Sequence, residues 1–286
     1  MNRIYMMADI HGRKNPIRDF YNRQLENGIR VTRTDTMILL GDSGLNYFFN
    51  HRDKELKRDL CAYSMTYFVV RGNHEERPEN MAIKYPDQWH KEEFWGSMVW
   101  VENEFPQIKY ALDQPEVYFI PYIAGYCEGI EENNWYDEGD PIWSVYKTLV
   151  LPGAYSVDKW HRLEQGWSWF PGEQMTPRER EYGLRLIERY DNKFDIVLSH
   201  TCPVMFEPTD LFLSVVDQNT VDKETERYLG HIEYLIEYDT WFWGHYHKFR
   251  EYPRTCGRRQ LMLYNDAAID LKQYMDYSCS AEDIKI

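Results

Sequence analysis

Cysteine is scarce in this chain, and long apolar runs are absent from it. The five cysteines stand at positions 61, 127, 202, 256 and 279, without the C-x-x-C spacing of a zinc ribbon or the density of a disulfide scaffold. No run approaches the roughly 18 uninterrupted apolar residues of a membrane span, and the short apolar N-terminal run does not resemble a signal peptide. We therefore expect a protein of the reducing cytoplasm with no membrane partner.

Positive charge is also in short supply. The chain has 33 lysines and arginines against 47 acidic residues, which gives a net charge of −14. Affinity for long nucleic acid depends on basic residues at the phosphates, so strong non-specific binding to nucleic acid is not expected. Hydrophobic residues make up 43% and aromatic residues 16% of the 286 residues, which predicts a packed globular protein. We expect a single domain over residues 1–286, with an irregular, cap-like insertion around 76–175.

Short apolar segments alternate with amphipathic ones along the chain. The apolar segments predict strands at Arg3–Ala8, Thr36–Leu40, Met65–Val70, Asp195–Leu198, Thr240–Trp243 and Leu261–Tyr264. The amphipathic segments predict helices at Ile17–Asn27, Arg52–Ala62, 176–190 and Val221–Glu237, the third opened by Thr176, Pro177 and Glu179 as a capping box. The aromatic stretch 160–172 is predicted to be a loop. This alternation predicts a layered α/β fold.

Five polar blocks follow predicted strands directly. They are Asp9-Ile10-His11, Gly41-Asp42-Ser43-Gly44, Gly72-Asn73-His74-Glu75, Ser199-His200 and Gly244-His245-Tyr246-His247. Ligands usually bind at the carboxyl ends of strands in such sheets, and side chains at i and i+2 of an extended segment point the same way. Taken singly, the other blocks also fit a turn aspartate or a packed histidine, but G-N-H-E after a strand is hard to explain by structure alone.

The residue types in these blocks suit a pair of divalent cations. A carboxylate such as Asp42 can bridge two cations about 3.5–4 Å apart, and imidazole suits several transition metals. The amide oxygen of Asn73 is a neutral hard ligand, and the adjacent His74 can face a substrate instead. Glu75 can either orient His74 or cap the next segment, and the sequence does not decide between these roles.

The order D-x-H, G-D-x-G, G-N-H-E, H, G-H-x-H resembles the calcineurin-like metallophosphoesterase superfamily. This resemblance implies a four-layer αββα sandwich of two mixed sheets flanked by helices. It implies that Asp9, His11 and His247 hold one metal, that Asn73, His200 and His245 hold a second, and that Asp42 bridges them. Asn73 would also contact substrate. His74 would remain unligated and act as the catalytic general acid.

The same resemblance implies a metal-dependent phosphohydrolase that cleaves a phosphomonoester or phosphodiester by attack of a hydroxide bridging two metals. Mn²⁺ is the metal expected first, with Fe, Zn, Ni and Mg as alternatives. The substrate would be a phosphorylated small molecule, a nucleotide or a phosphoprotein. A nuclease, a cyclic-nucleotide phosphodiesterase and a non-catalytic scaffold on the same fold remain alternatives.

Two departures distinguish this chain from the protein phosphatases of the superfamily, which carry G-D-x-V-D-R-G. Leu45 stands where their second Asp pairs with the catalytic His, and Asn46 stands where their Arg binds phosphate. The segment 153–159 is similar to one in phage- and prophage-type members. It makes Tyr155, Lys159 and Arg162 candidate substrate contacts, although a rigid aromatic loop explains the same residues.

Overall fold

Two mixed β-sheets form the centre of the protein in a computed structural model that describes residues 2–127, 139–254 and 257–280. The strands are β1 (Ile4–Met7), β2 (Thr36–Leu40), β3 (Thr66–Val70), β4 (Trp89–Phe94), β5 (Ser97–Glu102), β6 (Ile108–Tyr110), β7 (Glu116–Tyr126), β8 (Pro141–Leu151), β9 (Ile196–Ser199), β10 (Thr240–Trp243), β11 (Arg250–Glu251), β12 (Arg259–Met262) and β13 (Ile269–Asp270). The helices are α1 (Asn15–Glu26), α2 (His51–Cys61), α3 (Pro78–Lys84), α4 (Lys159–Glu164), α5 (Pro177–Arg189), α6 (Glu224–Leu235) and α7 (Leu271–Ser280).

Each sheet has a parallel centre and antiparallel edges. The first sheet has the order β13-β1-β2-β3-β6-β5-β4, with β1, β2, β3 and β6 parallel. The second has the order β11-β12-β10-β9-β8-β7, with β12, β10, β9 and β8 parallel. Because parallel strands end at the same edge, residues that follow them in sequence are brought together.

Side chains alternate between two cores along the central strands, as the two-residue period of a strand requires. In β1, Ile4 and Met6 pack between the sheets in one cluster with Phe242 of β10. Tyr5 and Met7 face the other way and pack with side chains of helices α1 and α2. The first sheet is therefore covered by the second sheet on one face and by helices on the other.

The second sheet repeats this arrangement. Trp241 and Trp243 of β10 point away from the first sheet, into a cluster with residues of α5 and α6. The sequence of layers is thus helix, sheet, sheet, helix. The predicted fold class, two mixed sheets flanked by helices, is confirmed. No helix in the described ranges is long and apolar enough to cross a bilayer.

Local predictions had mixed outcomes. The capping box is confirmed, since Thr176 accepts a hydrogen bond from the Glu179 N–H while the Glu179 side chain accepts one from the Thr176 N–H. The predicted loop at 160–172 is wrong in its first part, because α4 occupies Lys159–Glu164. The fourth predicted helix is shorter than expected and begins at Glu224.

The region 76–175 is more regular than its sequence suggested. It contributes β4, β5 and β6 to the first sheet and β7 and β8 to the second. Strands β7 and β8 pair over most of their length. The single-domain interpretation with a cap-like insertion stays a prediction.

Candidate metal centre

The five polar blocks converge at the carboxyl ends of β1, β2, β3, β9 and β10, where the two sheets meet. Their carboxylate and imidazole ligand atoms form three overlapping groups, each with all atoms within 4.8 Å of one another. The groups are Asp9, His11 and His247; Asp42, His200 and His245; and His11, Asp42 and His74. The first two groups correspond to the two metal sets that the sequence resemblance implies. Asp42 belongs to two of the three groups.

Ligand atoms in this cluster face one another at hydrogen-bond distance. The Nε2 atoms of His11 and His247 are 2.8 Å apart, and Nδ1 of His245 is 3.2 Å from Nε2 of His200. Nε2 of His200 is also 3.0 Å from Oδ1 of Asn73 and 3.3 Å from Oδ1 of Asp42. Asn73 therefore joins the second group. All seven residues predicted as metal ligands lie in one cluster.

Backbone hydrogen bonds lock the blocks to one another. The N–H of Asp9 donates to Gly41 O (3.2 Å), and the N–H of His11 donates to Asp42 O (2.8 Å). The Asp9 carboxylate accepts the N–H of His245 at 3.0 Å, which connects the two sheets. The positions of the ligand side chains are therefore set by main-chain contacts between strands.

An unusual backbone conformation marks the ligand residues. Five of them have a positive φ although none is glycine: Asp9 (57°), His11 (47°), Asp42 (47°), His245 (75°) and His247 (54°). This region is costly for residues with a Cβ, and such strain persists where the surrounding structure fixes it, often at functional sites. Half of the ten described non-glycine residues with a positive φ are therefore ligand residues of this one cluster, as is expected of a functional site.

Two glycines are required by close approach of the ligands. A Cβ at Gly41 would lie 2.0 Å from the His200 ring, and one at Gly72 would lie 2.2 Å from Oδ1 of Asp42. Neither neighbour is free to move, because Nδ1 of His200 is 3.0 Å from the Leu40 carbonyl and Asp42 is fully enclosed. Glycine at these positions lets the two sheets bring their ligands together.

The electrostatics of the cluster are those of a cation site. Burial raises the pKa of Asp9 well above its usual range. Burial opposes ionisation of Asp42 as well, but His74 and His200 hold its pKa well below the usual range. Burial acts to lower the pKa of His200, but Asp42, Asp9 and the Leu40 carbonyl together raise it to about 9. A proton on His200 thus balances the buried carboxylate, and a bound divalent cation would displace it.

His74 is half-buried at the edge of the cluster. It lies beside an ion pair from another part of the chain, formed by Asp158 and Arg162. Its Nδ1 is 3.2 Å from Nη2 of Arg162, and its Nε2 is 3.8 Å from Oδ1 of Asp158. Arg162 also donates from Nε to Asp158 at 2.8 Å and from Nη1 to the Tyr47 hydroxyl at 2.9 Å. A guanidinium can only donate, so the contact with Arg162 requires an unprotonated Nδ1, whereas Oδ2 of Asp42, 3.4 Å from the same nitrogen, favours a protonated one.

The two residues that depart from the protein-phosphatase motif, Leu45 and Asn46, are both buried and have structural contacts. Leu45 is fully buried in the core beneath the first sheet. Asn46 is buried and accepts a hydrogen bond from Nζ of Lys57 at 2.8 Å. An acid and an arginine near the histidine are supplied instead by Asp158 and Arg162, just before and within α4. Asp158 was not predicted as a site residue, although it lies in the segment 153–159 that resembles phage- and prophage-type members.

A chain of hydrogen bonds fixes the Asn73 amide. Its Nδ2 donates to Ser156 Oγ at 2.9 Å, Ser156 Oγ donates to Glu173 Oε2 at 2.5 Å, and Trp169 Nε1 donates to the same oxygen at 2.9 Å. With Nδ2 engaged, Oδ1 of Asn73 must face His200. Ser156 and Glu173 are buried, and neither was predicted from the sequence as a site residue.

Glu75 has neither of the two roles left open by the sequence. Its carboxylate accepts hydrogen bonds from the Ser43 hydroxyl and from the N–H of Gly72 (3.1 Å). It therefore ties the second polar block to the third.

The three candidate substrate contacts lie in different surroundings. Tyr155 lines a cavity that contains Asp42, Asn73 and His74. Arg162 lines a second cavity, of about 160 Å³, next to His11 and His74. Lys159 lies 4.0 Å above the Trp169 ring and lines neither cavity. The substrate roles of all three stay predictions.

Comparison with known proteins assigns the family. The model of the calcineurin-like phosphoesterases matches residues 2–249, most of the chain. This chain belongs to that family. It is accordingly a metal-dependent hydrolase of phosphate esters, and its Asp and His groups are candidate ligands for divalent metals. Its likeness to phage- and prophage-type members stays a prediction. No curated protein matches the chain.

Solved structures match over nearly the whole chain at low identity. A protein of Thermus thermophilus is 13% identical, with a TM-score of 0.49 and coverage of 95% of each chain. A dimetal phosphatase from Danio rerio is 10% identical, with a TM-score of 0.45, over 92% of this chain and 87% of that one. The phosphopantetheinyl hydrolase of Mycobacterium tuberculosis is 12% identical, with a TM-score of 0.41, over 93% and 90%.

Proposed function

We propose that the protein is a dinuclear phosphohydrolase that uses two divalent cations, with Mn²⁺ expected first, to cleave a phosphomonoester or phosphodiester. The proposal rests mainly on Asp42. Its Oδ2 lies 3.9 Å from Nε2 of His11, its Oδ1 lies 3.3 Å from Nε2 of His200, and it belongs to two of the three ligand groups. Shared carboxylates of this kind hold two cations in two-metal hydrolases.

The ligand residues divide into two sets around this carboxylate. Asp9, His11 and His247 would hold one cation, and Asn73, His200 and His245 would hold the other. When bound, the cations activate water and neutralise the charge that develops on the transferred phosphoryl group. The hydrogen bond between His200 Nδ1 and the Leu40 carbonyl leaves Nε2 free for a metal.

His74 would act as the general acid. Its ring lines the same cavity as Asp42, and Nη2 of Arg162 lies 3.2 Å from its Nδ1. Asp158 faces the Nε2 side and steadies the ring as it takes up and releases a proton. General acid catalysis of this type typically contributes about 10²–10⁴-fold.

A panel of substrates and metals tests the proposal. The protein is stripped with a chelator and assayed with Mn²⁺, Ni²⁺, Zn²⁺ and Mg²⁺ on an aryl phosphate, a bis-aryl phosphate and a nucleotide. We expect no activity in the stripped protein and restored hydrolysis of at least one ester with Mn²⁺. Absence of hydrolysis with all four metals at high protein concentration would instead support a non-catalytic scaffold.

A further inference from the structure

A cavity of about 200 Å³ opens directly from the metal centre. At one end it is lined by cluster residues, among them Asp42, His74 and His245. At the other end it is lined by apolar side chains from the segment 204–221, which lies over the centre. These are Leu211, Phe212, Leu213, Val216 and Val221. A phosphate group held at the centre would therefore point its organic part at an apolar wall.

The cavity offers no free cation to a second phosphate group. Beyond the cluster, Lys223 is the lone lysine or arginine among the described residues that line it. Its Nζ is 2.6 Å from Oε1 of Glu207 and 4.5 Å from the centre of the Phe212 ring, so its charge is already paired. A di- or triphosphate, or a polynucleotide backbone, would place negative charge here without a partner.

A buried acid lines the same cavity and adds no positive charge to it. Glu226 is buried, and its Oε1 accepts a hydrogen bond from the Thr201 hydroxyl at 3.0 Å. Its Oε2 is enclosed and has no hydrogen-bond partner. A carboxyl group offers no cation to an anionic group, whereas an uncharged polar group can hydrogen-bond to it.

We propose that the substrate is a phosphate ester whose organic part is compact, apolar and uncharged, and that Phe212, Val216 and their neighbours bind this part. The inference rests on the proposed phosphohydrolase function. It narrows the substrate class: aryl and short-chain alkyl esters are favoured over nucleoside polyphosphates and nucleic acid. The area of apolar surface that the ester buries against this wall sets its specificity.

A series of 4-alkylphenyl phosphates isolates this property, because their phenols have nearly equal pKa values while the apolar surface grows. We expect kcat/KM with the Mn²⁺-loaded protein to rise about two- to fourfold per methylene from methyl to propyl. 4-Carboxyphenyl phosphate, similar in size to the isopropyl compound but anionic, should be poorer by about tenfold or more. The matching phenylphosphonates, which are not hydrolysed, should follow the same order in calorimetric affinity.

Two neighbouring valines provide a matched pair of variants. Val216 lines the cavity, whereas Val215 is 90% exposed and does not. Val216→Ala should reduce the propyl-to-methyl ratio of kcat/KM by roughly threefold or more, and Val215→Ala should leave that ratio as in the wild type.

A kcat/KM that stays constant along the alkyl series, with 4-carboxyphenyl phosphate hydrolysed as well or better, would contradict the apolar-substrate proposal. The phosphohydrolase function would still stand. Equal ratios in both valine variants would likewise contradict the assigned wall. If no ester in the series is hydrolysed with any of the four metals, the apolar-substrate proposal fails, and the bis-aryl phosphate and the nucleotide of the panel above decide whether the phosphohydrolase function stands.

Discussion

The Nε2 atom of His74 lies 3.8 Å from Oδ1 of Asp158, a residue on a distant segment of the chain. Protein phosphatases of the superfamily place an acid for this histidine in their G-D-x-V-D-R-G motif, where this chain has the buried Leu45. Burial acts to raise the pKa of Asp158, but His74 and Arg162 hold it well below its usual range. Asp158 is therefore an anion beside the histidine, supplied by a different element.

Asp158→Asn should lower kcat while leaving the metal content unchanged. The loss should be about 10- to 100-fold, as is typical when the partner of a functional histidine is removed. It should be larger for an alkyl phosphate than for an activated aryl phosphate, because the poorer leaving group needs the proton more. Asp19→Asn, an exposed acid on α1, is the control for loss of charge. Equal kcat values for Asp158→Asn and wild type on alkyl phosphates would show that Asp158 does not position His74.

His74→Asn should keep both metals and lose turnover. The six other side chains around Asp42 remain, so elemental analysis should give the wild-type metal content. Turnover of an alkyl phosphate should fall about 10²–10⁴-fold, and turnover of an activated aryl phosphate should fall less. Because His74 shares a group with His11 and Asp42, a ligand role is the competing interpretation. Loss of metal in this variant would establish that interpretation and remove the acid role.

Ser156→Ala should weaken metal binding without removing any proposed ligand. The change deletes the acceptor that holds Nδ2 of Asn73 and leaves that amide free to turn. Outer hydrogen bonds of this kind typically alter metal affinity by about 10- to 100-fold. Titration of the stripped protein with Mn²⁺, compared with Ser214→Ala at an exposed serine, measures the effect. An unchanged affinity would mean that His200 and the backbone alone orient Asn73.

Glu226→Gln should stabilise the protein above neutral pH. Burial raises the pKa of Glu226 from 4.5 to about 7. The folded state therefore retains a proton that the unfolded state loses, and stability declines as pH rises from about 4.5 through 7. Glutamine removes this dependence, so the variant should gain about 1–3 kcal/mol at pH 8 and little at pH 4.5.

Thermal unfolding at the two pH values checks this stability difference. Glu237→Gln, at an exposed position just after α6, is the control. A Glu226→Gln variant that is no more stable than wild type at pH 8 would contradict the account of Glu226 as a protonated, buried acid.

The strands that carry the ligands could be predicted because they are buried on both faces and read as continuous apolar runs. Strand β7 was harder to predict, because Pro121 and Gly125 interrupt its apolar pattern. Proline is tolerated there because β7 is the outer strand of its sheet, where a missing N–H costs little. The prediction of a loop at 160–172 was wrong in its first part for a similar reason. The aromatic residues, glycines and proline of this stretch hide the pattern of the short helix α4.

The metal centre was more predictable from sequence than the residues that support it. Its ligands follow strands in short blocks, so local patterns identify them. Asp158, Ser156 and Glu173 act through the folded structure, and local residue patterns do not show which site residue each of them supports. Their roles depend on how 153–173 packs across the end of the first sheet, which residue spacing does not encode. The positive φ values of the ligands are likewise visible only in the structure.

The most direct test of the account is the metal content of the wild type and of Asp42→Asn, measured by elemental analysis after stripping and reloading with Mn²⁺, with aryl phosphate hydrolysis assayed on the same samples. We predict two Mn²⁺ per chain and active wild type, with reduced metal content and activity lost in Asp42→Asn. Wild-type stoichiometry and wild-type activity in Asp42→Asn would contradict a shared carboxylate at the centre of a dinuclear site.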